Sequence, residues 1–385
     1  MHIQNVTRSL LAAVVLSFSL VAQAQQAQLA SADKCRAFRI PDRLQPDWTI
    51  SADWLKPDVL VVADSVGGKL LHYSPDGKFL GRDPEILRKA VEKAEFGKFH
   101  PSGFAVASTN TTWIQMFGGR FVRVDEYKSV QRTLDLRDLP AGHDRKIAGV
   151  YDWTLAGDYF VGFGNFQDVA ETWSTGFFSV SLDDRLKAHV VKELPRYPPE
   201  RVWYRLGFHY LTSIGDIGYG ITVDEKSNRI ELVRIPPRTG SIERLGVRLR
   251  PLQDPPSLED YTTPEEYIQL MKEVEGSTMP IGLYGWQDDL YLVWRSYSRA
   301  RAQEWFVTKI ELFGDGNSRT SGVKILGTMK LPTTANHLMV VPGPKYWALI
   351  EKGPVEGFGL QEERILRYVP SPMIEAFNPN GTLCR

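Results

Sequence analysis

The feature that most constrains this chain is a repeat. Between Trp48 and Ile374, strand-like segments alternate with turn signals, and the pattern recurs at roughly 40–50 residues. The first copy reads WTISADW, VLVVAD, KLLHY and KFLG, broken at LKPD, SVGG and SPDG. The second reads GFAVAS, TTWIQMF, RFVRVD and VQRTLDL, and the third GVYDWTL, YFVGFG, GFFSVSL and RLKAHVV. Then come HYLTSIGD, YGITV, RIELVRI and SIERLGV; IGLYGW, LYLVW, FVTKIEL and SGVKIL; and last HLMVV, YWALI and RILRYV. Each segment alternates or is continuously apolar, as strands covered on both faces do. Units of this period cannot bury their faces alone and stack as blades. The count predicts an all-β chain, a six-bladed β-propeller. Its last copy lacks an outermost strand, and Cys35–Ile40 (CRAFRI) can supply it and close the ring.

Particular residues carry a family resemblance. The stretch Val61–Leu80, VVADSVGGKLLHYSPDGKFL, resembles an NHL repeat through Asp64-Ser65, Lys69, Tyr73 and Asp76-Gly77, with Gly68 where that family usually has Asn. By strand pattern, most of residues 35–385 resemble six-bladed propellers of the NHL and TolB-like kind, and by motif about twenty residues do. The resemblance implies the fold. Such propellers host lactonases, sugar dehydrogenases, peptide binders and scaffolds, so the fold alone selects no function.

The N-terminus carries an export pattern. Arg8 precedes an apolar run from Leu10 to Val21, followed by Ala22-Gln23-Ala24. That is a positive n-region, an h-region and an A-x-A cleavage site. The run is short of the ~18–20 apolar residues that a membrane span needs. The expectation is a cleaved signal peptide over residues 1–24, then one propeller domain over 25–385 with no membrane span, free in the periplasm or secreted. Cys35 and Cys384 fit an oxidising compartment, where two cysteines are expected to pair. A bridge between them would close nearly the whole chain into a loop, with a chain-entropy contribution of about 4.7 kcal/mol or more. It would sit at the seam where Cys35–Ile40 closes the ring.

Loop lengths distinguish two faces. Turns on one face are minimal: KPD, AGD, GD, QDD and PGPK. The other face carries Asn165–Trp173, Arg295–Trp305 and Glu351–Glu363, and long loops on a rigid scaffold are where function sits. Two inserts on that face have helical signatures. One is capped by Asp83-Pro84, carries Ile86, Leu87, Ala90, Val91 and Ala94 on one side, and stops at Gly97. The other has Thr263 and Glu266 as a capping box, with Tyr267, Leu270, Met271 and Val274 ahead of Gly276.

The chain has 46 basic and 46 acidic residues, which argues against a nucleic-acid partner. It has no H-E-x-x-H, C-x-x-C or G-x-S-x-G, and no Gly-rich phosphate loop. His100, His209 and His337 fall at or just before the innermost strands of alternate copies, near the channel mouth. Imidazoles converging there could bind a divalent metal in the central channel or act as general bases. Asp152, Asn165, Asn336 and Asp216 offer the hard oxygen ligands that calcium takes in lactonase-type propellers, an incomplete set because Asp216 falls at the opposite turn. The long loops are rich in arginine and aromatic residues. Arg295, Tyr297, Arg299 and Arg301 lie together, and Trp173, Trp203, Tyr151 and Asp152 come from neighbouring segments. Arg and aromatic side chains are enriched at binding hot spots, and ring faces suit sugars. Trp113 and Trp347, inside second strands, are expected in the core. The reading is a binding protein for a small anionic or carbohydrate-like ligand, or for an extracytoplasmic protein. The alternative is a channel-metal-dependent, lactonase-like hydrolase or lyase that uses His209 and His337.

Overall fold

The computed structural model describes residues 35–39, 51–56, 58–64, 69–83, 101–107, 111–116, 119–125, 129–137, 139–141, 145–168, 170, 173–183, 188–193, 210–224, 229–239, 241–251, 279–297, 303–313, 322–331, 333, 335, 337–353, 363–375 and 377. β1 (Arg36–Arg39) comes first. The first sheet is β2 (Ser51–Lys56), β3 (Val59–Asp64), β4 (Lys69–Tyr73) and β5 (Phe79–Asp83). The second is β6 (Pro101–Ala107), β7 (Thr111–Met116), β8 (Arg120–Asp125) and β9 (Ser129–Asp135). The third is β10 (Arg145–Ala156), β11 (Tyr159–Asp168), β12 (Trp173–Ser181) and β13 (Ala188–Glu193). The fourth is β14 (Leu211–Ile214), β15 (Ile217–Asp224), β16 (Arg229–Ile235) and β17 (Glu243–Pro251). The fifth is β18 (Met279–Trp286), β19 (Asp289–Tyr297), β20 (Gln303–Phe313) and β21 (Gly322–Lys330). Last come β22 (His337–Val341), β23 (Tyr346–Gly353), β24 (Glu363–Pro370) and the short helix α1 (Ser371–Glu375).

Each sheet is a four-stranded antiparallel meander, with one exception. The last sheet runs β22-β23-β24-β1, so its outer strand comes from the other end of the chain. Arg36 lies opposite Tyr368 there, and Arg39 opposite Ile365.

The continuous apolar segments form strands covered on both faces. Leu60, Val61 and Val62 are all buried, as are Trp347, Ala348, Leu349 and Ile350. Successive side chains on a strand point to opposite faces, so such runs require a neighbouring sheet on each side. Those neighbours are present. Trp113 and Phe121 of the second sheet pack with Phe160, Phe166 and Phe178 of the third. Phe163 and Phe177 of the third pack with Leu211, Val233 and Ile235 of the fourth. The fourth meets the fifth through Ile221, Leu232, Leu290 and Leu292. The fifth meets the last through Tyr291, Val307, Trp347 and Leu349. The last sheet returns to the first, where Ile350 and Tyr368 pack with Trp54, Leu60 and Tyr73. Each fully buried side chain of this size contributes about 1.5–3 kcal/mol. Sheets stacked face to face, with the last against the first, make the chain a β-propeller. The outermost strand β21 is different in kind: half-buried and exposed positions make up all of it but Met329.

Tryptophan indoles link one sheet to the next. Trp54 Nε1 donates to the Val341 carbonyl of β22 at 3.1 Å, and Trp153 Nε1 donates to Gln115 Oε1 of β7 at 2.7 Å. Trp113 and Trp347 are core residues. The two helices expected over 83–97 and 263–276, and the export segment 1–24, lie outside the described residues. No helix among the described residues is long and apolar enough to cross a membrane.

Candidate functional site

The third sheet is built of long strands, β10, β11 and β12, while the neighbouring inner strand β14 has four residues. β10 carries two bulges against β11, one between Ile147 and Gly149 and one between Val150 and Asp152. A bulge re-aims the side chains beside it. The second leaves Tyr151 as the extra residue. Gly164 of β11 faces this distortion, and a Cβ there would collide with the Gly149 carbonyl oxygen. Only glycine permits so close a backbone approach.

Above the buried Phe163 and Phe177, the same face of the sheet carries polar and aromatic groups. Asn165 lies opposite Thr175, and Gln167 opposite Trp173. Residues two apart on a strand share a face, so Asn165, Gln167, Trp173 and Thr175 form one ledge. Asn165 Nδ2 donates a short hydrogen bond to the Tyr151 hydroxyl, which places that ring on the ledge. Trp173 is 54% exposed and Tyr151 48%, unlike the other large rings of this sheet.

Beneath the ledge, Asp152 occupies a different setting. Its Oδ1 accepts the Trp153 backbone N–H at 2.9 Å, and its Oδ2 accepts the Leu211 N–H of β14 at 2.7 Å. Burial pushes its pKa up to about 7, against the two backbone N–H donors that favour the carboxylate. Tyr210 and Tyr284 lie near enough to feel its charge. Burial raises the Tyr210 hydroxyl, with further upward contributions from Tyr284 and Asp152 and an opposing one from Arg295. Burial also pushes Tyr284 up to about 12, against a backbone hydrogen bond at Val340. The Tyr284 hydroxyl lies over Gly282, where an added Cβ would come within 2.5 Å of it. The phenol therefore runs back along β18, away from the short turn. Chemically, the cluster holds one carboxyl group that exchanges its proton near neutrality, beside two hydroxyls that keep theirs.

The expected site residues thus separate. Tyr151, Asn165 and Trp173 meet on the ledge. Asp152 and Arg295 converge on Tyr210, and Arg295 is buried, 7% exposed, rather than displayed on the surface. His337 pairs with Lys352 at the start of β22, and Tyr297 with Gln303 at the end of β19. His100, His209, Asn336, Trp203, Arg299, Arg301 and Cys384 lie outside the described residues. Asp216 sits in an exposed turn at the opposite end of the sheets from Asn165. Both oxygens of Asp152 are used on backbone donors, and Asn165 on Tyr151. Among the described residues no group of three or more His, Cys, Asp or Glu converges as a metal centre.

Sequence reasoning missed Gln167, Tyr210 and Tyr284. A signal was present in the inner strands: Asp53-Trp54 in β2 and Asp152-Trp153 in β10 repeat the same dipeptide. In both, the carboxylate accepts the following Trp N–H, at 2.7 and 2.9 Å. In both, the indole reaches the preceding sheet.

No family model matches this chain, and no curated protein matches it. Among solved structures, a member of the DUF4221 family from Bacteroides vulgatus is similar at 12% identity, with 87% of this chain and 95% of that chain covered and a TM-score of 0.49. A streptogramin B lyase is similar at 12% identity over 87% of this chain and 97% of that one, with a TM-score of 0.40. A calcium-binding protein, regucalcin, from Agrobacterium tumefaciens is similar at 14% identity over 86% and 93%, with a TM-score of 0.40. The architecture itself rests on the chain's own packing: antiparallel sheets stacked in sequence, the last against the first, are those of a β-propeller.

Proposed function

We propose that this protein is a secreted or periplasmic six-bladed β-propeller that binds a carbohydrate-like ligand on its long-loop face. The ledge of Tyr151, Asn165, Gln167 and Trp173 carries this reading. Exposed rings on a rigid strand offer an apolar face at low entropic cost, and the amides beside them donate to and accept from hydroxyl groups. Sugars present both an apolar C–H face and polar edges. The ledge bears no charge and Arg295 is buried away from it, which favours a neutral sugar over an anion. A large exposed ring pair on an otherwise well-buried sheet is the kind of patch that marks a binding site.

The test is an array of neutral and uronic oligosaccharides probed with the mature protein and with Trp173→Ala. The expected result is capture of neutral oligosaccharides that falls about tenfold or more in the variant, with thermal stability unchanged. Capture of acidic glycans alone, or neutral capture that survives Trp173→Ala, overturns the reading. A protein partner would show as no glycan capture at all.

The compartment and the seam belong to the same proposal. The residues of the export pattern support cleavage after Ala24, which N-terminal sequencing of the exported protein checks by finding Gln25 first. A Cys35–Cys384 bridge is supported by the position of Cys35, which packs against the same core cluster as Met373 and Phe377, residues close along the chain to Cys384. A thiol assay on unreduced, unfolded protein should find none. The two helices over 83–97 and 263–276 are proposed to lie on the long-loop face.

A further inference from the structure

The inner strand β10 is held from both sides around its second bulge. Towards the fourth sheet, Asp152 accepts the Leu211 N–H of β14 at 2.7 Å. Farther down, the inner strands enclose an axial cavity of about 360 Å³ whose lining includes Asp53, Thr154 and Ser213. There Thr154 Oγ1 is bonded to Ser213 Oγ at 3.0 Å. Towards the second sheet the polar link is Gln115 of β7. Its Nε2 donates to the Val150 carbonyl at 3.3 Å, and its Oε1 accepts the Trp153 indole N–H at 2.7 Å. Val150 and Trp153 flank Tyr151 and Asp152, so one amide grips both ends of the stretch that carries the extra residue of the bulge.

Chemistry fixes which way this amide points. An indole N–H can only donate and a carbonyl can only accept, so Oε1 faces Trp153 and Nε2 faces Val150. Packing alone does not call for glutamine at this position. Gln115 is buried, lies opposite Phe121, and shares its strand face with Trp113 in the cluster that contains Phe160 and Phe178. An amide among rings is unfavourable unless both its ends are paired, and a leucine would fill the same space. A bulge disrupts the ladder and leaves its extra residue unpaired, so the direction of that side chain depends on what holds the residues beside it. Here the extra residue is Tyr151, whose hydroxyl accepts from Asn165 on the ledge.

We infer that Gln115 is a positioning residue for the ledge: through Val150 and Trp153 it fixes the bulge that aims the Tyr151 ring at Asn165. Being buried in the joint between two sheets, it acts through Tyr151 and not on the ligand. Its effect on sugar capture rests on the ledge reading above, whereas its effect on Tyr151 rests on the bulge geometry alone.

The experiment compares Gln115→Leu, which keeps the volume and removes both bonds, with Trp54→Phe, which removes an indole link between two other sheets. One readout is affinity for a neutral oligosaccharide captured by the wild type. The other needs no ligand: the Cζ carbon signal of Tyr151 in tyrosine-labelled protein, assigned by its absence from Tyr151→Phe and followed with pH. In the wild type, burial raises the Tyr151 hydroxyl above its ordinary range, opposed by the hydrogen bond from Asn165. Gln115→Leu should weaken capture about three- to tenfold, the scale of a neutral hydrogen bond. It should also shift the Tyr151 signal and return its titration towards the ordinary value of about 10. Trp54→Phe should move neither. A folded Gln115→Leu with the Tyr151 signal and titration unchanged overturns the inference, and so does an equal shift in Trp54→Phe. A moved Tyr151 signal with capture unchanged, or no capture by the wild type, tells against the ledge and leaves the Gln115 clamp standing. If Gln115→Leu does not fold, Gln115→Glu replaces it. A protonated carboxyl offers one donor and one acceptor as the amide does, and a carboxylate offers acceptors only. The Tyr151 signal of that variant should match the wild type at about pH 5 and depart from it by about pH 9. A match at both or at neither overturns the inference.

Discussion

Asp53-Trp54 in β2 and Asp152-Trp153 in β10 are the same dipeptide on two inner strands, yet the two carboxylates have different neighbours. Asp53 lies opposite Val61, the third residue of β3, whereas Asp152 lies opposite Phe163, the fifth residue of β11. Asp53 is therefore nearer its short turn and lines the axial cavity. Asp152 stands farther along, next to a bulge, where it takes the Leu211 N–H of the following sheet and meets Tyr210 and Tyr284. A shift of two strand pairs separates a carboxylate that lines the axial cavity from one set beside two buried phenols, where burial pushes its pKa up to about 7. Position along the strand, more than residue type, decides what the side chain does.

The sharpest way to break this comparison is pH. The folded-state pKa of Asp152, about 7, is raised above its ordinary unfolded value of about 3.9. The folded state then holds the proton more tightly, so this group's contribution to stability is greatest below about pH 4, declines as pH rises towards 7, and levels above it. The amplitude is up to about 4 kcal/mol, an upper limit because Asp152 is half-buried rather than sealed. Asp152→Asn removes the titration. Denaturant midpoints between pH 4 and 8, wild type against variant, should show the excess decline in the wild type only. Parallel curves would mean that Asp152 is solvated like any surface carboxylate.

A smaller effect is expected at Gly164. Gly164→Val drives a side chain into the Gly149 carbonyl and should cost about 3 kcal/mol by overpacking. It should also weaken oligosaccharide capture by moving Tyr151. A fully stable variant would show that the double bulge of β10 does not need its close backbone approach. Smallest are the indole links. Trp54→Phe and Trp153→Phe each remove one N–H donor between sheets and should cost about 1 kcal/mol in chemical denaturation. A loss in one and none in the other would show that the repeated dipeptide is used structurally only once.

The strands were legible because their cause is local. VLVVAD, LYLVW and YWALI are continuous apolar runs bounded by Lys-Pro-Asp, Gln-Asp-Asp and Pro-Gly-Pro-Lys turns, and they form β3, β19 and β23. The ledge was half legible. Tyr151, Asn165 and Trp173 stood out as aromatic or polar residues in or beside a long loop, but that they share one face depends on the β11–β12 register. Gln167 looked like an ordinary loop residue until it lay opposite Trp173. Arg295 shows the converse. It reads as part of an arginine-rich loop, and the end of β19 carries it into the interior beside Tyr210.

By itself the sequence determined the class: a period of short, two-sided apolar segments leaves stacked sheets as the way to cover both faces of each strand. Only the tertiary structure decided the chemistry. Asp152, Tyr210 and Tyr284 belong to three different sheets, as do Asp53, Thr154 and Ser213. Nothing in the spacing of those residues along the chain sets how they meet. Their distances follow from the stacking of the sheets and from the register and bulges of each inner strand. The raised pKa of Asp152 is a consequence of that assembly.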